Sequence, residues 1–257
     1  MELIFIAIIE ILTQIILAII NSQIGNWLIN TGNAVSSGMF DGLSANVVNT
    51  VEFATNVFKN TAYGIIAILF FMELIDKATD VREMSFEKIV KMLFKLIISK
   101  MLVDYSMLTM KLIEAIFINI FSVADITRLA NVSTNDLIAT GAKMVPLLKL
   151  LYAVFIIVAM IEVGVILYLR RLEMMLMVMI SPIAFAMLST DGYKSTGKRF
   201  IQSFIAICLQ GIILLITCNL FFLTLSSVTD GFTACFSSIG LCIIAAKSSG
   251  VAKGLVS

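Results

Sequence analysis

The chain contains no histidine and few prolines or charged residues. With no histidine among 257 residues, serine–histidine and cysteine–histidine nucleophile pairs and histidine-ligated metal sites are excluded. Only two prolines interrupt long apolar runs, and the alternating segments of a transmembrane barrel are missing. Charged residues make up 14% of the chain, compared with about a quarter in average soluble domains. These absences favour helices in an apolar environment.

Hydrophobic residues are correspondingly abundant. They make up 60% of the chain, and its mean hydropathy is +1.05. A soluble fold of this size has too little interior to bury that much apolar surface. The composition therefore predicts an all-α, polytopic integral membrane protein with about five to six membrane helices. The four cysteines lie in apolar stretches without a CxxC pair, so we interpret them as small hydrophobic residues and expect no metal or other cofactor.

Several apolar segments are predicted to cross the membrane, which needs roughly 20 mainly apolar residues. The predicted spans are residues 61–76, 101–123, 144–169 and 200–226. Segments 3–20 and 233–246 either span or lie at the interface, and both interpretations stay open. Residues 172–189 contain Ser181 and Pro182, which we predict to form the hinge of a re-entrant or Pro-broken segment. A full crossing by this segment is the alternative.

Composition divides the chain into three parts. Residues 1–58 are predicted as an N-terminal apolar helix followed by an amphipathic surface helix, residues 59–226 as the membrane core, and residues 227–257 as a small-residue C-terminal segment. The surface helix is indicated by apolar residues that recur every four positions: Val35, Met39, Leu43, Val47 and Val51. Gly38 and Gly42 form a small-xxx-small pair beside this stripe, so we interpret them as candidates for packing between copies. A surface loop with chance periodicity is the alternative.

Two basic groups predict the cytoplasmic side. Residues 77–100 form a basic amphipathic helix, with one face carrying Lys88, Lys91 and Lys95. The positive-inside rule places this helix, Arg170 and Arg171 on the cytoplasmic side of the membrane. A second basic group follows the hinge segment and contains Lys194, Lys198 and Arg199. Both groups are candidates for contact with partner proteins or anionic lipid.

The second basic group resembles a nucleotide-binding loop. In GYKSTGKR, Gly192, Gly197 and Lys198 have P-loop spacing. However, an apolar membrane segment precedes this loop in place of a β-strand, and Arg199 occupies the position of the Ser or Thr that holds magnesium. We therefore expect a cytoplasmic turn that does not bind a nucleotide.

Four charged residues lie within the predicted spans and are candidates for a substrate path: Lys111, Glu114, Lys149 and Glu162. An ionisable group at membrane depth costs a few kcal/mol or more and by default suggests function. The first two lie three residues apart and share a helical face. They either border a hydrated lumen at an oligomer axis or form structural pairs between packed spans, and both interpretations stay open.

One stretch resembles a known family. Residues 170–216 read RRLEMMLMVMISPIAFAMLSTDGYKSTGKRFIQSFIAICLQGIILLI, which is a double arginine, a Met-rich run, Ser-Pro, a short basic loop and a long apolar span. This order resembles the TrbL and VirB-six type of polytopic membrane proteins in conjugation and type IV secretion systems. The resemblance covers residues 60–254 in layout, and it contains no catalytic signature.

The resemblance implies a non-enzymatic role in the cytoplasmic membrane of a bacterium. Proteins of this type form homo-oligomers beside secretion ATPases and other membrane subunits. They help pass DNA–protein or protein cargo out of the cell. The alternative is a stand-alone secondary transporter with a midplane solute site at residues 172–189. A membrane-embedded enzyme ranks last, because no nucleophile or metal constellation is found.

Overall fold

The structure of the protein is a computed structural model, and it describes residues 2–19, 38–78, 86–123, 146–188, 192–227 and 231–256. Apart from short turns, these ranges are helical and contain no strand, which confirms the all-α prediction. The described helices are α1 (Glu2–Ile19), α2 (Ala45–Ala78), α3 (Phe86–Asp104), α4 (Ser106–Val123), α5 (Pro146–Leu188), α6 (Lys194–Ser227) and α7 (Gly231–Val256).

Long apolar helices agree with a multi-pass membrane protein. Within the described residues, four helical stretches are long and apolar enough to cross a membrane: Ala45–Asp76, Leu150–Leu188, Lys194–Cys218 and Phe232–Val256. The span predicted at 101–123 is not among them. It falls on α3 and α4, and the side chains from residue 120 onward lie outside the described set.

Helix α5 joins two segments that the sequence separates. The double arginine suggested that one span ends near residue 169 and another begins at residue 172. Instead, α5 continues for 43 residues through Arg170, Arg171 and Pro182. Arginine is a good helix former, so the pair carries no stop signal for the backbone. At 1.5 Å per residue, α5 is about 65 Å long, roughly twice the thickness of a hydrocarbon core.

The region before α2 differs from the predicted surface helix. Residues 39–42 form a turn, and Gly42 has a φ of +73°, in the left-handed region that favours glycine. The helix begins only at Ala45, so Gly38 and Gly42 do not share a helical face as the spacing had suggested. Val35 lies outside the described residues. Helix α2 then continues across the division placed after residue 58.

The basic helix and the segment after it are nearly continuous, as predicted. Helices α3 and α4 are separated by one turn residue, Tyr105. Its backbone N–H donates to Met101 O at 3.0 Å, and its carbonyl accepts from Thr109 N at 2.8 Å. Helical hydrogen bonding therefore passes through the junction. Residues 79–85, which belong to the predicted basic helix, lie outside the described residues.

The chain divides into two compact units. The first takes residues 1–39, 117–171 and 207–255, and the second takes residues 40–116, 172–206 and 256–257. In the first unit, α5, α6 and α7 share an apolar core that includes Tyr152, Val163, Leu214, Phe221 and Leu241. In the second unit, α2 packs against α3. The three-part division expected from composition remains a prediction.

Candidate functional site

Arg170 is a charged residue buried between two apolar helices. It lies in α5, and only 4% of its surface is exposed. Its Nε donates to the carbonyl oxygen of Ile207 at 2.8 Å, and its Nη2 donates to that of Cys208 at 3.3 Å. Both carbonyls belong to α6, and a carbonyl oxygen has a second lone pair beyond the one used in its helix. The backbone of α6 therefore holds the guanidinium.

Gly211 provides the space for this guanidinium. A Cβ at residue 211 would lie 2.8 Å from Nη2 of Arg170 and closer still to Cζ and Nη1. An alanine would thus occupy the volume that the guanidinium fills. Sequence reasoning did not identify Gly211, since no local pattern links it to an arginine on the preceding helix.

Arg171 makes a separate backbone contact in the same unit. Its Nε donates to the carbonyl oxygen of Met39 at 3.0 Å. The Met39 side chain is 1% exposed, so this contact anchors a buried residue of the turn. Arg170 and Arg171, which the sequence treated only as a marker of the cytoplasmic side, are both used for packing.

Ser181 compensates for a hydrogen bond that Pro182 removes. Proline has no backbone N–H, so the carbonyl of Val178, four residues earlier, loses its helical donor. The Ser181 hydroxyl donates to this carbonyl oxygen at 2.7 Å. Polar side chains replace lost backbone partners in this way in membrane helices. The helix consequently continues through Pro182, and a hinge at Ser181–Pro182 stays a prediction.

Polar contacts also join the helices of the first unit. Gln210 Nε2 on α6 donates to Ser248 Oγ on α7 at 3.2 Å, and both side chains are buried. Glu162 on α5 is half-buried and lies near enough to the thiol of Cys242 on α7 to interact with it. This candidate for the substrate path therefore has a partner within its own chain. The side chain of Lys149 lies outside the described residues.

The other two substrate-path candidates lie on α4 in the second unit. The Lys111 Nζ is 4.8 Å from the centroid of the Phe40 ring, a cation–π distance. Glu114 is 7% exposed and therefore belongs to the interior. The two residues share a helical face, as their spacing predicted, but they differ in exposure.

The basic group on α3 is partly engaged in contacts with α2. Lys95 Nζ lies 3.2 Å from Oε1 of Glu73, and the hydroxyl of Tyr63 donates to Asp104. Tyr63, earlier in α2, contacts the last residue of α3, whereas Glu73, later in α2, contacts the earlier Lys95. The two helices are therefore antiparallel. Lys91 is exposed. The side chain of Lys88 lies outside the described residues.

The P-loop lookalike is the start of a helix packed on its neighbour. Helix α6 begins at Lys194, and the carbonyl of Tyr193 accepts from the N–H of Gly197 at 3.3 Å. A Cβ at Gly197 would lie 2.8 Å from Ala184 O and 2.9 Å from Leu188 Cβ. Helix packing thus requires this glycine, and no phosphate is needed to explain it. The three basic residues nearby are exposed: Lys194, Lys198 and Arg199.

The acidic and thiol groups of the described chain do not assemble into a metal site. No cluster of three or more metal-ligating His, Cys, Asp or Glu residues occurs in the part of the chain that the structure describes. Comparison of the chain with protein-family models, curated proteins and solved structures finds no match.

Proposed function

We propose that the chain is an oligomeric channel or scaffold subunit of a type IV secretion or conjugation apparatus. In this proposal it acts in the cytoplasmic membrane of a bacterium and helps DNA–protein or protein substrates to cross. Its partners are further copies of itself, the secretion ATPases, other membrane subunits and lipid. It performs no chemistry of its own.

One observation carries the proposal: the residues that give the family resemblance also make specific helix contacts. The double arginine uses the backbone of α6 through Arg170, Ser181 compensates for Pro182, and Gly197 allows close helix packing. A stretch selected only for general hydrophobicity would not need a buried arginine or glycines at tight contacts. These contacts support a specific helical arrangement in the stretch that resembles the secretion proteins.

Exposed basic residues supply the proposed ATPase-facing surface. Lys91, Lys194, Lys198 and Arg199 are exposed and available to an acidic partner. Lys95 is less suited to this role because it is paired with Glu73. Among the described side chains, we therefore narrow the proposed partner surface to these four exposed residues, and Lys88 stays a candidate.

The proposed conduit forms between copies of the chain. The described cavity in the first unit is lined by apolar side chains, among them Ile156, Val163 and Phe221, and would not carry a polar cargo. Lys111 is only half-buried and is the better candidate for a hydrated wall, whereas Glu114 would have to leave the interior. Helices α1 and α4 are the proposed further spans, and one or both of them would raise the four long apolar helices to five or six. A re-entrant segment at the Pro-containing end of α5 would require this helix to bend at Pro182.

Transfer measurements in the native host test the proposal. Deleting the coding sequence should abolish DNA transfer or protein export, and the wild-type chain should restore it. Reversing all four exposed charges (Lys91→Glu, Lys194→Glu, Lys198→Glu and Arg199→Glu) should lower transfer by roughly tenfold or more, because the complementary charges of a partner would then repel.

The matched control keeps the charges. Lys91→Arg, Lys194→Arg and Lys198→Arg together should support near-normal transfer, and immunoblots should show equal amounts of both variants in the membrane. Normal transfer without the gene would refute the proposal. A purified single chain that binds and transports a small solute would instead establish the transporter alternative.

A further inference from the structure

We propose that Arg170 and Gly211 form a lock that sets the register between α5 and α6. Two long apolar helices can pack in several registers that differ little in buried area, and one buried polar group is a known way to select a single register. The guanidinium of Arg170 has the required burial, with 4% of the residue exposed. This inference does not depend on the proposed function.

Only one position along this part of α6 accommodates the guanidinium. Sliding one helix past the other by one turn, about 5.4 Å, would bring Arg170 opposite a residue three or four positions from Gly211. Those positions are Ile207, Cys208, Leu214 and Leu215, and all of them carry side chains. The space beside the other glycine of α6, Gly197, is already occupied by Ala184 and Leu188. A shifted register would therefore leave the buried guanidinium without the space at Gly211.

The backbone beside Gly211 also accepts the hydrogen bonds of Arg170. The two accepting carbonyls, of Ile207 and Cys208, are those that the helical pattern pairs with the N–H groups of Gly211 and Ile212. Because each oxygen can accept twice, Arg170 can bind while α6 stays helical. Because Gly211 has no side chain, the guanidinium can come close enough to reach both oxygens. The glycine and the arginine are therefore expected to depend on each other.

A double-mutant cycle measures this dependence. The full-length chain is purified in detergent as wild type, Gly211→Ala, Arg170→Met and the double variant, and thermal unfolding is recorded for each. Gly211→Ala should lower the melting temperature by roughly 5 °C when Arg170 is present, because the new methyl group displaces the guanidinium from its hydrogen bonds. In the Arg170→Met background the same change should be neutral or stabilising, since alanine is the better helix former.

Gly240→Ala is the matched control, because a Cβ at Gly240 would meet no atom within 4 Å. It should not lower the melting temperature in either background. Recovery of the double variant from membranes where Gly211→Ala alone is not recovered would also support the lock. The lock would be overturned if Gly211→Ala lowered the melting temperature equally with and without Arg170. It would also be overturned if neither Gly211→Ala nor the double variant could be recovered while Arg170→Met folded normally.

A distance measurement reports the register directly. Spin labels are placed at Ile161 on α5 and Ile216 on α6, which are 52% and 51% exposed, in a background with the four native cysteines replaced by alanine. With Arg170 present, one narrow distance distribution is expected. Arg170→Met should broaden it or add a population displaced by about 5 Å, one helical turn. An unchanged narrow distribution in Arg170→Met would contradict the lock.

Discussion

At the scale of single residues, side chains that bind backbone carbonyls account for features that hydropathy alone does not explain. Arg170 is tolerated in an apolar setting because the α6 backbone accepts its hydrogen bonds. Pro182 is tolerated within α5 because Ser181 serves the carbonyl that the proline leaves without a donor. The sequence identified Ser181 and Pro182 as a pair. It could not identify Gly211, because the reason for that glycine is a side chain on another helix.

The Ser181–Pro182 pair yields a residue-scale prediction. Ser181→Ala should destabilise the protein by about 1–3 kcal/mol, because the buried carbonyl of Val178 loses its replacement donor. In a Pro182→Ala background the backbone N–H returns, and Ser181→Ala should cost much less. Thermal unfolding in detergent measures both effects. An equal cost in the two backgrounds would show that the Ser181 hydroxyl does not substitute for the missing N–H.

At the scale of elements, the existence of helices could be predicted, but several of their ends could not. Long apolar runs with two prolines indicated an all-α chain, and the structure agrees. Arg170 and Arg171 were interpreted as the end of a span because positive charge usually marks the membrane boundary. That rule concerns where charges lie relative to lipid and says nothing about backbone hydrogen bonding. The helix ends instead at Leu188, beyond the proline.

The packing of α6 on the end of α5 yields an element-scale prediction. Gly197→Ala should destabilise the protein by about 1–3 kcal/mol despite the better helix propensity of alanine, because its Cβ would overlap backbone atoms of Ala184 and Leu188. Gly192→Ala is the control, since a Cβ there meets nothing within 4 Å. Melting temperatures in detergent compare the two. Similar values for both variants would show that the close contact is easily relieved.

At the scale of the whole molecule, apolar and polar side chains are exposed together on a candidate membrane helix. Within Ala45–Asp76, only 6% of the most apolar 18-residue stretch is buried by the rest of the chain. Phe53 on the same helix is 71% exposed. Asn56 and Asn60 are exposed on the same helix. Lipid can cover the apolar groups, but amide side chains in a membrane are better satisfied by another helix. This combination is one reason for proposing that several copies assemble.

Assembly is tested by particle size and symmetry. In mild detergent, light scattering should give a protein mass that is a multiple of 28.2 kDa, and images should show a closed ring around an axial space. Asn56→Leu combined with Asn60→Leu should shift the population towards smaller particles, whereas Phe53→Leu should not, because it removes no hydrogen-bonding group. Particles of one chain each, carrying a solute site, would contradict the proposal.

The tight contact at Gly197 has a consequence for anyone scanning genomes or designing ATPase-dead mutants. A search by spacing alone would flag GYKSTGKR as a Walker-type sequence, and a mutational scan of that loop would include its second glycine, Gly197. Such a replacement would destabilise the protein by crowding the contact between α5 and α6, and a resulting loss of function would look like failed hydrolysis. A false positive would thus seem validated by mutagenesis. Only a direct nucleotide-binding measurement on the intact protein separates the two explanations.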